Sequence, residues 1–188
     1  MANYVPVLEG RLFMVRLIVL RFGLALLVLR SLLAAPALGP VIDGARALRF
    51  GLNASAISVA VALMALVWSL AVVPTSLEGK AYYEILFWGA GHAIQFAWTL
   101  MMLVAWLWLA HACGARVGLS PRIALLMFAL ALASVFVTPY AYAAHDVFTV
   151  EHRNLHTWAM RFGGGLAILP VALAVVLALL ADNSRQPE

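Results

Sequence analysis

The sequence predicts an all-α integral membrane protein, a single-domain bundle of five transmembrane helices. Three observations predict it. Hydrophobic residues make up 65% of the 188 and charged residues 11%, where soluble domains carry roughly 45–50% and about 25%. The mean hydropathy is +1.00. Apolar stretches also recur at lengths able to cross roughly 30 Å of hydrocarbon, which takes about 20 helical residues. The same composition excludes a disordered chain. The single cysteine, Cys113, excludes a scaffold of internal disulfides. The net charge of +4 reads as loop charge that orients the chain in the bilayer, with no nucleic-acid partner.

The expected spans follow in order. The first covers 15–38, interrupted by Arg16, Arg21 and Arg30 and closed by Pro36 and Pro40. Arginines inside its apolar run, and the lack of a small-residue cleavage site ahead of a soluble domain, separate it from a signal peptide. Arg30 either snorkels or pairs with a neighbouring helix, or it faces the acidic group of a cofactor such as a haem propionate. The second span, 52–73, stops at Pro74, and the third, 84–112, is the longest and the richest in aromatics. Neither holds a lysine or arginine. The fourth, 121–144, opens on Pro121, which suits a first helical turn. The fifth covers 157–181, and the polar tail after Asp182 is expected to be mobile.

Five spans put the N-terminus and the second and fourth loops on one side, called side A, and the other loops and the C-terminus on side B. Side B receives Arg46, Arg49, Arg116, Arg122 and Arg185 with Asp43 and Asp182, while side A receives Lys80 and Arg153 with Glu78, Asp146 and Glu151. Loop charge therefore makes side B cytoplasmic, although Arg11 and Arg16 weigh the other way. The expected location is a bacterial inner membrane, crossed several times, with lipid as the first partner.

Four of the five histidines fall toward side A. His92 lies about two turns into the third span, His145 closes the fourth, and His152 and His156 are expected on the loop that opens the fifth. His111, beside Cys113 on side B, reads as an interfacial anchor. An ionisable group inside a span is costly, so His92 marks a candidate site. Imidazole suits copper, iron and zinc, and two donors become available if the third and fourth helices pack antiparallel on their short connection. His92 and His145 are the expected metal ligands, with Asp146 a third oxygen donor or the acceptor that orients an imidazole. His152 and His156 have the spacing of one helical face, yet a water-exposed surface pair accounts for them equally well. The aromatics Trp88, Phe96, Trp98, Trp106 and Trp108 read as packing and interface anchors before cofactor walls. Gly163, Gly164 and Gly165 read first as close helix packing, and alternatively as room for a flat macrocycle.

The run Tyr82-Tyr83-Glu84-Ile85-Leu86-Phe87-Trp88-Gly89-Ala90-Gly91-His92-Ala93-Ile94-Gln95-Phe96 resembles the sixth helix of the catalytic subunit of haem–copper oxidases and nitric oxide reductases. There a Gly-His supplies the first ligand of the active-site copper. One helix later that family carries a His-His pair before Met-Phe-Thr-Val, and Ala144-His145-Asp146-Val147-Phe148-Thr149-Val150 holds the matching place. The resemblance spans most of the chain, as the fourth to eighth helices of a twelve-helix fold. It implies a subunit I-like protein contributing to a haem–copper centre that reduces O2 or NO, with copper and haem as cofactors. It further implies partners: the rest of subunit I or other respiratory subunits, and an electron donor such as cytochrome c. The family's haem ligands have no counterpart here, so the chain reads as the middle of a larger subunit that is incomplete alone. Phe96 stands where the best-known oxidases place a tyrosine, Asp146 where a second histidine is expected, and no proton-channel lysine lies in the fifth span. The first change tilts the resemblance toward nitric oxide reduction. Two other readings of the residues stand beside it. One is a small b-type cytochrome with His92 and a histidine of the fourth or fifth helix as axial ligands; the other is a non-catalytic membrane subunit or truncated product.

Overall fold

A computed structural model describes residues 10–37 and 39–183 of the chain. Leu38, Arg185 with the rest of the tail from 184, and the first nine residues lie outside it. Among the described residues the protein is helical throughout, and five helical segments are long and apolar enough to cross a membrane: Arg11–Leu33, Gly44–Val72, Gly79–Ala112, Pro121–Ala144 and Val150–Ala181.

Helix α1 (Arg11–Leu33) ends short of the expected position 38, because its last turn closes at Ala34 ahead of Pro36. It is mostly exposed and touches the bundle through Val28, which packs with Val59 and Ala97. Arg21 places its guanidinium 4.8 Å from the Phe87 ring centre, while Arg30 is exposed. Helix α2 (Gly44–Val72) begins well before the expected residue 52, so Arg46 and Arg49 sit on its first turns instead of in a loop. The cause is its N-cap: the Asp43 carboxylate accepts the Arg46 N–H at 2.8 Å, satisfying one of the donors that a helix start leaves open.

Packing of α2 against α3 (Gly79–Ala112) organises the bundle. The buried stripe of α2 is made of small residues, including Ala47, Gly51, Ala54, Ser55, Ser58, Ala62, Ala65 and Ser69. In lipid, where tails are as apolar as leucine, such a stripe lets backbones approach and gain dispersion contact. Ser55 Oγ donates across the interface to Ala97 O at 3.1 Å. At Gly51 an added Cβ would stand 2.5 Å from Val104 Cγ2 and 3.0 Å from a Phe128 ring carbon.

The fourth span is not one continuous helix. It divides into α4 (Pro121–Val135) and α5 (Val137–Ala144) around Phe136. Pro139 explains the break, since it has no N–H for Val135 O and its ring crowds that carbonyl. The Phe136 N–H turns instead to Ala133 O at 3.2 Å. The fifth span starts at α6 (Val150–Trp158), earlier than the expected residue 157. It continues through a π-helical turn at Ala159–Gly163 into α7 (Gly165–Asn183), which carries Pro170. Thr149 caps α6 by accepting the His152 N–H at 3.3 Å, and Glu151 sits in the first turn, where a carboxylate favours the helix N-terminus. His152 and His156 therefore belong to a membrane-length helix, which corrects their expected place on a loop.

Candidate functional site

The α6 extension brings three imidazoles together on its buried face. His92, His152 and His156 are 5%, 1% and 1% exposed. Their ring centres are 5.9 Å apart for His92 and His156, and 4.7 Å apart for His152 and His156. Four-residue spacing puts 152 and 156 on one helical face. Meanwhile α3 delivers His92 from across the interface, its ring 4.7 Å from Trp88.

Backbone carbonyls fix how these rings present their nitrogens. His92 Nδ1 lies 2.8 Å from Trp88 O, His156 Nδ1 2.8 Å from His152 O, and His152 Nδ1 3.3 Å from Ala141 O. A carbonyl only accepts, so in the neutral rings each Nδ1 carries the proton and donates it. Each Nε2 then keeps a lone pair. His156 Nε2 is buried with no hydrogen-bond partner among the described residues. A buried polar atom left so costs about 1–3 kcal/mol, a cost that a ligand for the lone pair would remove.

Aromatic rings and one guanidinium surround the cluster. Tyr142 of α5, itself 6% exposed, meets His152 edge-on at 4.7 Å between ring centres and His156 at 6.0 Å. Its Oη is 2.6 Å from Ser69 Oγ of α2. Gly89 gives the Tyr142 ring its room: a Cβ at position 89 would stand 2.6 Å from Tyr142 Cε2 and 2.9 Å from Cζ. The guanidinium of Arg153 lies over Trp88, 5.4 Å from its ring centre, on the edge of the cluster.

The expected ligand set is divided by this geometry. The imidazole facing His92 is His156. His145 is half-buried at the end of α5, its ring edge-on to Tyr140 at 6.5 Å, and it borders the cluster only beside His152. Asp146 is exposed and shapes the loop: its Oδ1 accepts the Phe148 N–H at 2.9 Å, and its carbonyl accepts the Thr149 hydroxyl at 2.7 Å. A carboxylate closing a tight turn serves the cap of α6 and does not enter the bundle. Among the described residues no group of three or more His, Cys, Asp or Glu side chains converges as a metal site. The glycine run behaves as packing at Gly163, where the space for a Cβ is occupied by the Ser134 side chain.

The sequence reading passed over Tyr142, Ser69 and the burial of His152 and His156. One signal was present for the last pair, since Thr149 followed by Glu151 marks a helix start just ahead of them. Nothing in the local pattern pointed to Tyr142, which depends on the break at Pro139 and on a glycine far away in sequence.

Fold and site together define a multi-pass helical membrane protein with a buried imidazole cluster between its third, fourth and fifth spans. The chain is similar to the uncharacterized protein RP382 of Rickettsia prowazekii (strain Madrid E), 24% identical over 114 residues, which are 61% of this chain and 22% of that protein. The match therefore covers less than a quarter of the relative's length. No family model matches the chain, and no solved structure matches it.

Proposed function

We propose that this chain is a haem–copper oxidase subunit I-like segment of a bacterial inner membrane, contributing a copper-holding imidazole cluster to a centre that reduces O2 or NO in respiratory electron transfer. The observation that carries this reading is the buried, unpartnered Nε2 of His156 beside His152 and facing His92. Imidazole nitrogen is a preferred donor for copper. Metal–nitrogen bonds of about 2 Å place the centres of two imidazoles on one ion no more than roughly 6 Å apart, and both ring pairs fall within that limit. His92 and His156 are thus the residues that would hold copper, with His152 as a further donor. Copper bound there supplies one-electron redox chemistry.

The remaining groups prepare the site. Backbone carbonyls hold the proton of each imidazole on Nδ1, so the unpartnered His156 Nε2 needs no rearrangement to donate its lone pair. Tyr142 Oη shares a hydrogen bond with Ser69 Oγ at 2.6 Å, beside the cluster. Phe96, buried and apolar at 3% exposure, has no proton to give. Burial of the whole group excludes bulk water.

Haem fits these residues less well. Ser134 fills the opening that Gly163 would offer a macrocycle, and the haem ligands and electron donor, cytochrome c or a similar carrier, would come from other helices or chains. One distance favours the second reading, a small b-type cytochrome: His92 and His156, with ring centres 5.9 Å apart, would be the residues that hold its iron, which would supply one-electron transfer. Metal and haem analysis of purified chain decides between them. Copper that is lost in His156→Ala supports the proposal, whereas stoichiometric haem with a reduced-minus-oxidised b-type spectrum supports the second reading.

A further inference from the structure

At the opposite end of the bundle from His92, His152 and His156, residues of α2, α3, α4 and the loop between α3 and α4 line a half-open cavity of about 550 Å³. Its walls are apolar, formed by Leu48, Leu107 and Trp108 among others, and its mouth carries Arg116 and His111. Among the described residues no carboxylate lines it. The ends of α2 and α4 that flank it carry Arg46, Arg49 and Arg122. The acid beside the mouth, Asp43, is engaged by the Arg46 N–H at 2.8 Å and lies 3.9 Å from Arg46 Nε. Arg116 makes no ion pair among the described residues. A cavity with a cationic rim and a hydrocarbon-lined interior, at the membrane–water boundary, is complementary to an amphiphile with an anionic head. A free phosphate would have no use for the apolar wall, and a zwitterionic lipid would gain less from the arginines.

We propose that this cavity binds an anionic phospholipid, its phosphate at Arg116 and an acyl chain along Leu48, Leu107 and Trp108. Basic pockets between transmembrane helices on the cytoplasmic side suit such headgroups, and each arginine near the charge strengthens binding roughly fivefold. The site needs neither copper nor the His92–His152–His156 cluster, so it stands or falls apart from the proposed function.

The test is native mass spectrometry of the full chain, delipidated in detergent and offered phosphatidylglycerol and phosphatidylcholine in equal amounts. The expected result is preferential retention of phosphatidylglycerol, reduced about fivefold in Arg116→Gln and also reduced in Ala45→Phe, which fills the mouth without changing charge. Lys80→Gln, at the other end of the bundle, should leave retention unchanged. Equal retention of the two lipids, or an undiminished signal in both Arg116→Gln and Ala45→Phe, overturns the proposal. So does an equal loss in Lys80→Gln, which would mean general charge attraction. Competition by soluble glycerophosphoglycerol as effective as the lipid itself would overturn the lipid assignment in favour of a plain anion site.

Discussion

Substituting Gly89→Ala tests how the floor of the imidazole cluster is built. The added methyl would stand 2.6 Å from Tyr142 Cε2 and 2.9 Å from Cζ, and closer still to the hydroxyl oxygen, where carbon contacts are comfortable at about 3.5–4.0 Å. The ring must retreat by about an ångström. Overpacking of this kind costs about 1–3 kcal/mol, and displacement of the hydroxyl breaks its 2.6 Å hydrogen bond with Ser69, which in a membrane interior contributes about 0.6 kcal/mol. The sum is a destabilisation of about 1.5–3.5 kcal/mol, nearly all of it routed through one side chain. Reversible unfolding of the purified chain by SDS in mixed micelles, followed by circular dichroism, measures it. In a Tyr142→Ala background the same Gly89→Ala change should cost close to nothing, giving a coupling at the upper end of the range for residues in contact. A Gly89→Ala penalty below about 0.5 kcal/mol, or an equal penalty in both backgrounds, would refute the packing argument.

Three other outcomes are expected. Gly163→Ala should destabilise the bundle by about 1–3 kcal/mol in the same assay, because the new Cβ enters the space of the Ser134 side chain, and Ser134→Gly should relieve it. In a Cys113→Ser background, single cysteines at Ala45 and Gly118 should react with membrane-impermeant maleimide only from the cytoplasmic face, since arginine gathers at that end; labelling only from outside reverses the topology. The purified chain given an artificial electron donor should turn over neither O2 nor NO unless chains supplying further helices are added, and turnover by the chain alone would show that its own histidines suffice.

Much of the fold was legible because hydrophobic length is a global property that local detail does not disturb. All five spans were visible in this way. Their ends were not: Asp43 and Thr149 start helices well before the apolar runs do, since one cap extends a helix through polar residues that hydropathy assigns to loops. The break at Phe136 was readable from Pro139, and the apolar run concealed it. Among the histidines, His92 was singled out from burial cost alone, and the structure does bury it. The partner was harder. His145 and Asp146 lie beside each other in sequence at the right depth, yet Asp146 is engaged in a turn that caps α6, and that cap turns His152 and His156 inward. Which imidazole meets His92 was decided by a helix start, a feature worth about 1 kcal/mol that no spacing rule weighs against a motif.

On the proposed function, His92 and His156, whose ring centres are 5.9 Å apart, would hold copper without His145. Copper content with electron paramagnetic resonance of the full chain, loaded with cupric ion, compares wild type with His92→Ala, His156→Ala and His145→Ala. Stoichiometric copper with nitrogen hyperfine structure in the wild type and in His145→Ala, and its loss in His92→Ala and His156→Ala, is the predicted result. Absence of bound copper from the wild type, or loss in His145→Ala with retention in His156→Ala, would contradict it.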